Sequence, residues 1–231
     1  MFGAWQAGVW RALASRLRPD LVIGSSAGAL NGWAIASGVA PDELIQAWLD
    51  PAVADVNRPR FFPTFLDPKP LRRTARELFD RYRPRVTFAT TLVEVPRLRP
   101  RLVRDTEMTW RHLVGACSIP VVLPPVRVDG HWYVDGGLLG TLPLWAAAEL
   151  GATHAVAVDA LPMMPSRVVR AAAGMAHRLG SPRRPPEGLT VTLIRPSSAL
   201  GTLREAVYWN PANARRWAES GERDAERSIT M

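Results

Sequence analysis

The sequence predicts an α/β fold: one domain in three layers, α/β/α, on a mostly parallel central sheet. Three observations predict it. Short apolar runs that read as buried strands alternate with helical segments along the chain, the order that parallel sheets covered on both faces produce. A length of 231 residues with 47% hydrophobic content suits a single α/β domain with an ample core. No internal repeat and no compositional break marks a domain boundary.

Taken in order, residues 3–17 carry Trp5, Val9, Leu13 and Leu17 at helical spacing with Arg11 and Arg16 off that stripe, which predicts an amphipathic helix. Leu21-Val22-Ile23-Gly24 is the first strand. A helix over 27–38 follows and stops at Gly38, and another starts at Pro41, a residue tolerated in a first turn. Residues 51–70 hold five prolines and three phenylalanines without a sustained period. They read as a packed loop or as a mobile flap over an apolar site.

Helical spacing returns over 71–82, with Leu71, Ala75, Leu78, Phe79 and Tyr82 inward. Strands are predicted over 85–95 and 100–103, then a helix over 106–117. Val126 to Val128 and His131 to Val134, joined by Asp129-Gly130, read as a hairpin. A helix over 144–150 closed by Gly151 leads to a buried strand over 155–158. A helix over 167–179, a Pro/Arg loop, a strand over 189–194 and a helix over 203–226 complete the chain.

Composition narrows the function classes. The net charge of +8 and pI near 11.0 come almost wholly from arginine, since Lys69 is the sole lysine. Arginine-biased composition and attraction to an anionic membrane both account for that. Zinc-finger spacing, RNA-binding aromatic motifs and basic heptads are absent, so nucleic acid is not expected as a partner. A single cysteine, Cys117, excludes an intrachain disulfide and suits a reducing compartment. No apolar run approaches the ~18 residues of a membrane span, and the first residues lack signal-peptide features. Cytoplasmic placement, with peripheral membrane contact, is the expectation.

The chemistry centres on Gly24-Ser25-Ser26-Ala27-Gly28. An apolar strand entering Gly-x-Ser-x-Gly and leaving as a helix is the layout of a nucleophile elbow, with Ser26 at the sharp turn. Gly24 and Gly28 are expected to let strand and helix pack closely. The helix N-terminus, starting with the Ala27 N–H, offers donors to an oxyanion. A nucleophilic serine needs a base. His112 and His177 lie within predicted helices, His131 opens a hairpin arm, and His154 precedes its strand rather than ending it. Sites in open α/β sheets lie beyond the strands' carboxyl ends. Asp135, which ends a strand and is followed by Gly136 and Gly137, is the better base, with Asp159 in reserve. A Ser26–His154 or Ser26–His177 esterase remains an alternative, as does an inactive membrane- or protein-binding module.

Gly24-Ser25-Ser26-Ala27-Gly28 with Asp135-Gly136-Gly137 resembles the patatin-like phospholipase family. Ser118-Ile119-Pro120, Leu123-Pro124-Pro125-Val126, Leu142-Pro143-Leu144 and Gly3-Ala4-Trp5-Gln6-Ala7-Gly8 extend the likeness over most of the chain. The resemblance implies a patatin-like α/β/α fold. It also implies a lipid acyl hydrolase with Ser26 as nucleophile, Asp135 as direct base, lipid or ester as substrate and no cofactor or metal. It places the oxyanion hole at the N–H groups of Ala27 and Gly3. One departure stands out: the family opens with a strand and a glycine-rich loop bearing a basic residue, whereas here Gly3 alone stands for that loop and Phe2 precedes it. The expectation is that Met1 is an internal methionine of a longer native chain, so that the first strand and most of the oxyanion loop are missing from these 231 residues.

Overall fold

In the computed structural model, residues 2–56, 65–160, 188–202, 205 and 208–229 are described. The α/β class holds, with a central sheet flanked by helices. The helices are α1 (Gly3–Leu13), α2 (Ala27–Ala36), α3 (Pro41–Leu49), α4 (Val53–Val56), α5 (Pro68–Arg81), α6 (Trp110–Ala116), α7 (Leu144–Glu149) and α8 (Pro211–Ile229). The strands are β1 (Leu21–Gly24), β2 (Thr87–Val95), β3 (Arg99–Arg104), β4 (Val126–Val128), β5 (His131–Asp135), β6 (His154–Val158) and β7 (Thr190–Ile194).

Among the described residues, parallel pairing is confined to β1 with β2 and β6 with β7. The β2–β3, β2–β5 and β4–β5 ladders are antiparallel, so the sheet is mixed rather than mostly parallel. The reason is local. Short connections join β2 to β3 and β4 to β5, and a short connection can only return a strand antiparallel. In the second, Asp129 and Gly130 both take positive φ, 48° and 85°, as a tight hairpin turn requires.

Caps moved several predicted boundaries. α5 starts at Pro68 because Asp67 accepts the Lys69 N–H at 3.0 Å. Residues 106–109 stay outside α6 because Thr109 and His112 form a reciprocal cap, the Thr109 N–H donating to His112 Nδ1 at 3.0 Å. α8 starts at Pro211, behind Asn210, whose side chain accepts the Ala212 N–H at 2.8 Å. The stretch 51–70 is more regular than predicted: it contains α4 and the start of α5, and Leu66 N–H bonds Val122 O at 3.0 Å. Residues 57–64 lie outside the described residues, as does the helix predicted over 167–179.

The two larger apolar clusters tie helices to strands. Trp33, stacked on Phe79 and edge-on to Phe88, joins α2 and α5 to β2, and Leu113 and Val114 bring in α6. Trp5, Val9, Ile194 and Trp217 join α1 to α8 and β7. Each fully buried large side chain contributes about 1.5–3 kcal/mol. Trp5 also donates its indole N–H to buried Asp224 at 3.0 Å, which satisfies both polar groups.

Candidate active site

β1 runs into α2 through Ser26, which has φ 55° and ψ −134°. Positive φ in a residue with a Cβ is uncommon and costs roughly 1–3 kcal/mol. Surrounding contacts hold it there. The Ser26 N–H donates to Ala116 O at 3.0 Å, and its carbonyl accepts from Ala29 N–H at 2.9 Å and from the Cys117 thiol at 3.2 Å. A Cβ on Gly24 would sit 2.1 Å from Gly28 O, so the strand touches the first turn of α2 backbone to backbone. At Gly28 itself a Cβ would meet Gln6 Nε2 at an ordinary 3.5 Å, so the close packing expected of both glycines is enforced at Gly24.

Asp135 is the last residue of β5 and is 3% exposed. Its Oδ1 accepts the Gly137 N–H at 2.8 Å and the Ser25 hydroxyl at 3.4 Å. Gly136 is required by a close approach: a Cβ there would lie 2.3 Å from Thr91 O.

Pairing along β2 brings the two residues together. β3 pairs with Ala89 to Glu94, overlapping the spans used by both β1 and β5, so β3 takes one edge of β2 and the other two share the opposite edge. β1 ends with Gly24 opposite Thr90, and β5, running the other way, ends with Asp135 opposite Leu92. Two strands thus run head to head and stop on either side of Thr91. Both carboxyl ends meet there, which brings together Ser26 and Asp135, 109 positions apart in the chain.

The end of α6 locks the junction. Ala116 O accepts the Ser26 N–H, the Cys117 thiol donates to Ser26 O, and Ser118 O accepts the Asp135 N–H at 3.0 Å. Burial pushes the Cys117 thiol well above its ordinary range, and Asp135 adds to that, so it stays a protonated donor. Burial also lifts the Asp135 carboxyl from 3.8 to about 6, while the Ser26 hydroxyl and the hydrogen bonds from Gly137 and Ser25 pull it down. A carboxylate in the neutral range beside a hydroxyl on a strained turn is suited to accept a proton.

The family model described as patatin-like phospholipase matches residues 1–148. The chain belongs to the patatin-like phospholipase family. It is similar to lysophospholipase NTE1 of Meyerozyma guilliermondii, 33% identical over 57 residues, and to those of Debaryomyces hansenii and Candida albicans, each 32% identical over 57 residues. These matches cover 25% of this chain, and the chain spans about 4% of the length of those relatives.

The other described candidates of this patatin-like chain have partners away from Ser26 and Asp135. His112 is buried and caps α6, and burial lowers its pKa. His131 bonds Glu94 Oε1 at 3.0 Å on the surface. His154 is exposed at the amino end of β6, beside the Thr153 hydroxyl at 3.1 Å. Asp159 is paired with Arg195 at 3.3 Å. His177 lies outside the described residues. Among the described residues, no group of three or more His, Cys, Asp or Glu is arranged to hold a metal. No described helix is long and apolar enough to cross a membrane.

Ala27 opens α2, where a backbone N–H has no acceptor within the helix. Gly3 opens α1 under the Trp48 indole, where a Cβ would come within 2.1 Å of the ring. Its carbonyl accepts from Asn31 Nδ2 at 2.9 Å, and Trp48 Nε1 donates to Asn31 Oδ1 at 2.8 Å. Gly3 is therefore tied to α2 one turn beyond Ala27 rather than to Ser26. Sequence reasoning missed Ser25, Thr91, Ala116 and Cys117. The signal at hand was the run Ala116-Cys117-Ser118, whose main chain serves both halves of the site.

Proposed function

We propose that this chain is a lipid acyl hydrolase using Ser26 and Asp135 through an acyl-enzyme. The observation that carries the reading is one juxtaposition: a serine held at φ 55° on a strand-to-helix turn, at the same junction of strand ends as a buried carboxylate raised to about 6. Membership of the patatin-like phospholipase family supports carboxylic ester hydrolysis on a lipid. The relatives' name, lysophospholipase, makes lysophospholipids the first natural substrates to assay.

Ser26 Oγ attacks the ester carbonyl carbon while Asp135 takes the hydroxyl proton. Negative charge builds on the carbonyl oxygen, where the Ala27 N–H at the start of α2 is the donor. Asp135 then returns the proton to the leaving alkoxide as the C–O ester bond breaks, freeing the alcohol. Water attacks the acyl-Ser26 ester with Asp135 again accepting a proton, and the fatty acid leaves as Ser26 is regenerated. No histidine is needed, because burial already brings Asp135 into the working pH range.

The test is hydrolysis of nitrophenyl esters and lysophospholipid, with labelling by a fluorophosphonate serine probe. Ser26→Ala and Asp135→Asn should each lower kcat by about 10³-fold or more, and Ser26→Ala should abolish labelling. Unchanged hydrolysis in Ser26→Ala would sink the reading.

A further inference from the structure

Two donors share one oxygen of the Asp135 carboxylate, and one of them is a side chain. Oδ1 takes the Gly137 N–H at 2.8 Å and the Ser25 hydroxyl at 3.4 Å. The first is main chain and follows from the turn after β5. The second comes from 110 residues away, across the junction, and a single substitution removes it.

The surroundings favour this contact. Ser25 stands between the end of β1 and the start of α2, and its carbonyl accepts the Gly28 N–H at 2.9 Å. With the backbone tied there, rotation about Cα–Cβ alone places its hydroxyl. Gly137 leaves the space, since a Cβ on it would lie 3.1 Å from Asp135 Oδ1 and 3.7 Å from Ser25 Oγ. The missing side chain lets hydroxyl and carboxylate share one small volume. Ser25 also lines a cavity of ≈ 1110 Å³ between β1 and β6, which neither Ser26 nor Asp135 lines. Ser25 thus stands between the carboxylate and that space.

What the contact does follows from the chemistry of a carboxylate base. Efficient proton transfer needs one oxygen presented to the nucleophile in the same direction at every turnover. The terminal torsion of an aspartate is broad and roughly two-fold, so its two oxygens exchange places unless one is anchored. Oδ1, held by two donors, stays an acceptor whether the group is ionised or protonated. A donated hydroxyl also favours the ionised form, which is the form that works as a base.

We propose that Ser25 is a positioning residue, its hydroxyl anchoring Asp135 Oδ1 so that Oδ2 takes the proton from Ser26. The inference rests on the Ser26–Asp135 reading and adds the residue that orients its base. The adjacent serines then divide the work, Ser26 attacking the ester and Ser25 holding the base. Among the described residues, Cys117 at the end of α6 is a further titratable group coupled to the carboxylate. Its thiol stays protonated across the range tested.

Two measurements on the full chain test it. The first is independent of turnover: NMR follows the Asp135 carboxyl carbon from pH 4 to 8 in protein labelled with carbon-13 aspartate. Loss of the signal in Asp135→Asn assigns it. Ser25→Ala and Ser25→Val should raise the titration midpoint by roughly 0.5–1 pH unit, whereas Ser25→Thr, which keeps the hydroxyl, should stay within about 0.2 unit of the parent. The second is nitrophenyl ester hydrolysis. Ser25→Ala should lower kcat about 10-fold with KM unchanged, its kcat/KM profile should move with the NMR midpoint, and Ser25→Thr should restore the rate. An unmoved midpoint in Ser25→Ala, a raised KM with kcat unchanged, or a Ser25→Thr rate as low as that of Ser25→Ala would each overturn the assignment. The two readings fail separately. Parent-like hydrolysis in Ser25→Ala beside an inactive Ser26→Ala ends this proposal alone, whereas hydrolysis that persists in Ser26→Ala ends the catalytic reading beneath it.

Discussion

The two edges of β1 lie in contrasting surroundings. On one side β1 pairs with β2 and ends at a junction where the Ser26 N–H, the Asp135 N–H and one carboxylate oxygen all have close partners. On the other side its peptide groups face a cavity shared with β6. The proposed chemistry sits beside the closed edge, where converging backbone groups can hold a strained serine and a buried carboxylate. The open edge has no such constraint from the described residues. What stabilises a reactive geometry is the density of satisfied contacts around it, and that density differs across the width of a single four-residue strand.

That contrast can be broken first at Asp135. Its folded-state pKa lies above the unfolded value, so its contribution to stability is present below about 3.8 and is lost as pH rises through about 6. Against Asp135→Asn, the parent should therefore lose roughly 2–3 kcal/mol between pH 4 and 7.5, from about two pK units at 1.4 kcal/mol each. Urea unfolding at both pH values checks this. In the active parent, kcat/KM should rise with pH to a plateau with a midpoint near 6; a pH-independent rate from 4 to 8 would remove Asp135 as the base.

The next test crowds the junction directly. Gly136→Ala places a Cβ against Thr91 O, and the needed shift should cost about 1–3 kcal/mol and displace the carboxylate enough to lower kcat. Gly140→Ala, where a Cβ meets nothing within 4 Å, is the control and should leave the urea midpoint unchanged. The smallest effect sharpens the comparison between edges. Val93→Ala, in a residue 0% exposed at the core of β2, should cost about 2 kcal/mol. Val156→Ala, 38% exposed beside the cavity, should stay within about 0.5 kcal/mol. Equal costs at the two positions would mean that the β6 edge is as well packed as the sheet centre.

Much of the site was legible because it is built from local turns. The demand for a sharp strand-to-helix turn is written into Gly24-Ser25-Ser26, and the tight approach after β5 into Gly136-Gly137, each within a few residues. Element types were legible from hydrophobic period, whereas several boundaries were not, because Asp67, Thr109 and Asn210 set them by capping. The expectation that both Gly24 and Gly28 mediate close packing held at Gly24 alone, since proximity depends on what the neighbouring element presents.

By itself the sequence determined an α/β chain with a serine elbow, a strand-terminal aspartate and no well-placed histidine. Tertiary structure decided that these two ends meet, because β1 and β5 share one edge of β2 and the end of α6 bonds the backbone of both. It also decided that Ser25 and Cys117 lie at the junction, and that residues of β1 and β6 line one cavity. The physical reason is the range of the interactions. Turn chemistry and periodicity act over a few residues and leave a mark in the sequence, whereas strand adjacency, burial and the resulting rise in the Asp135 pKa arise from contacts between residues far apart in the chain.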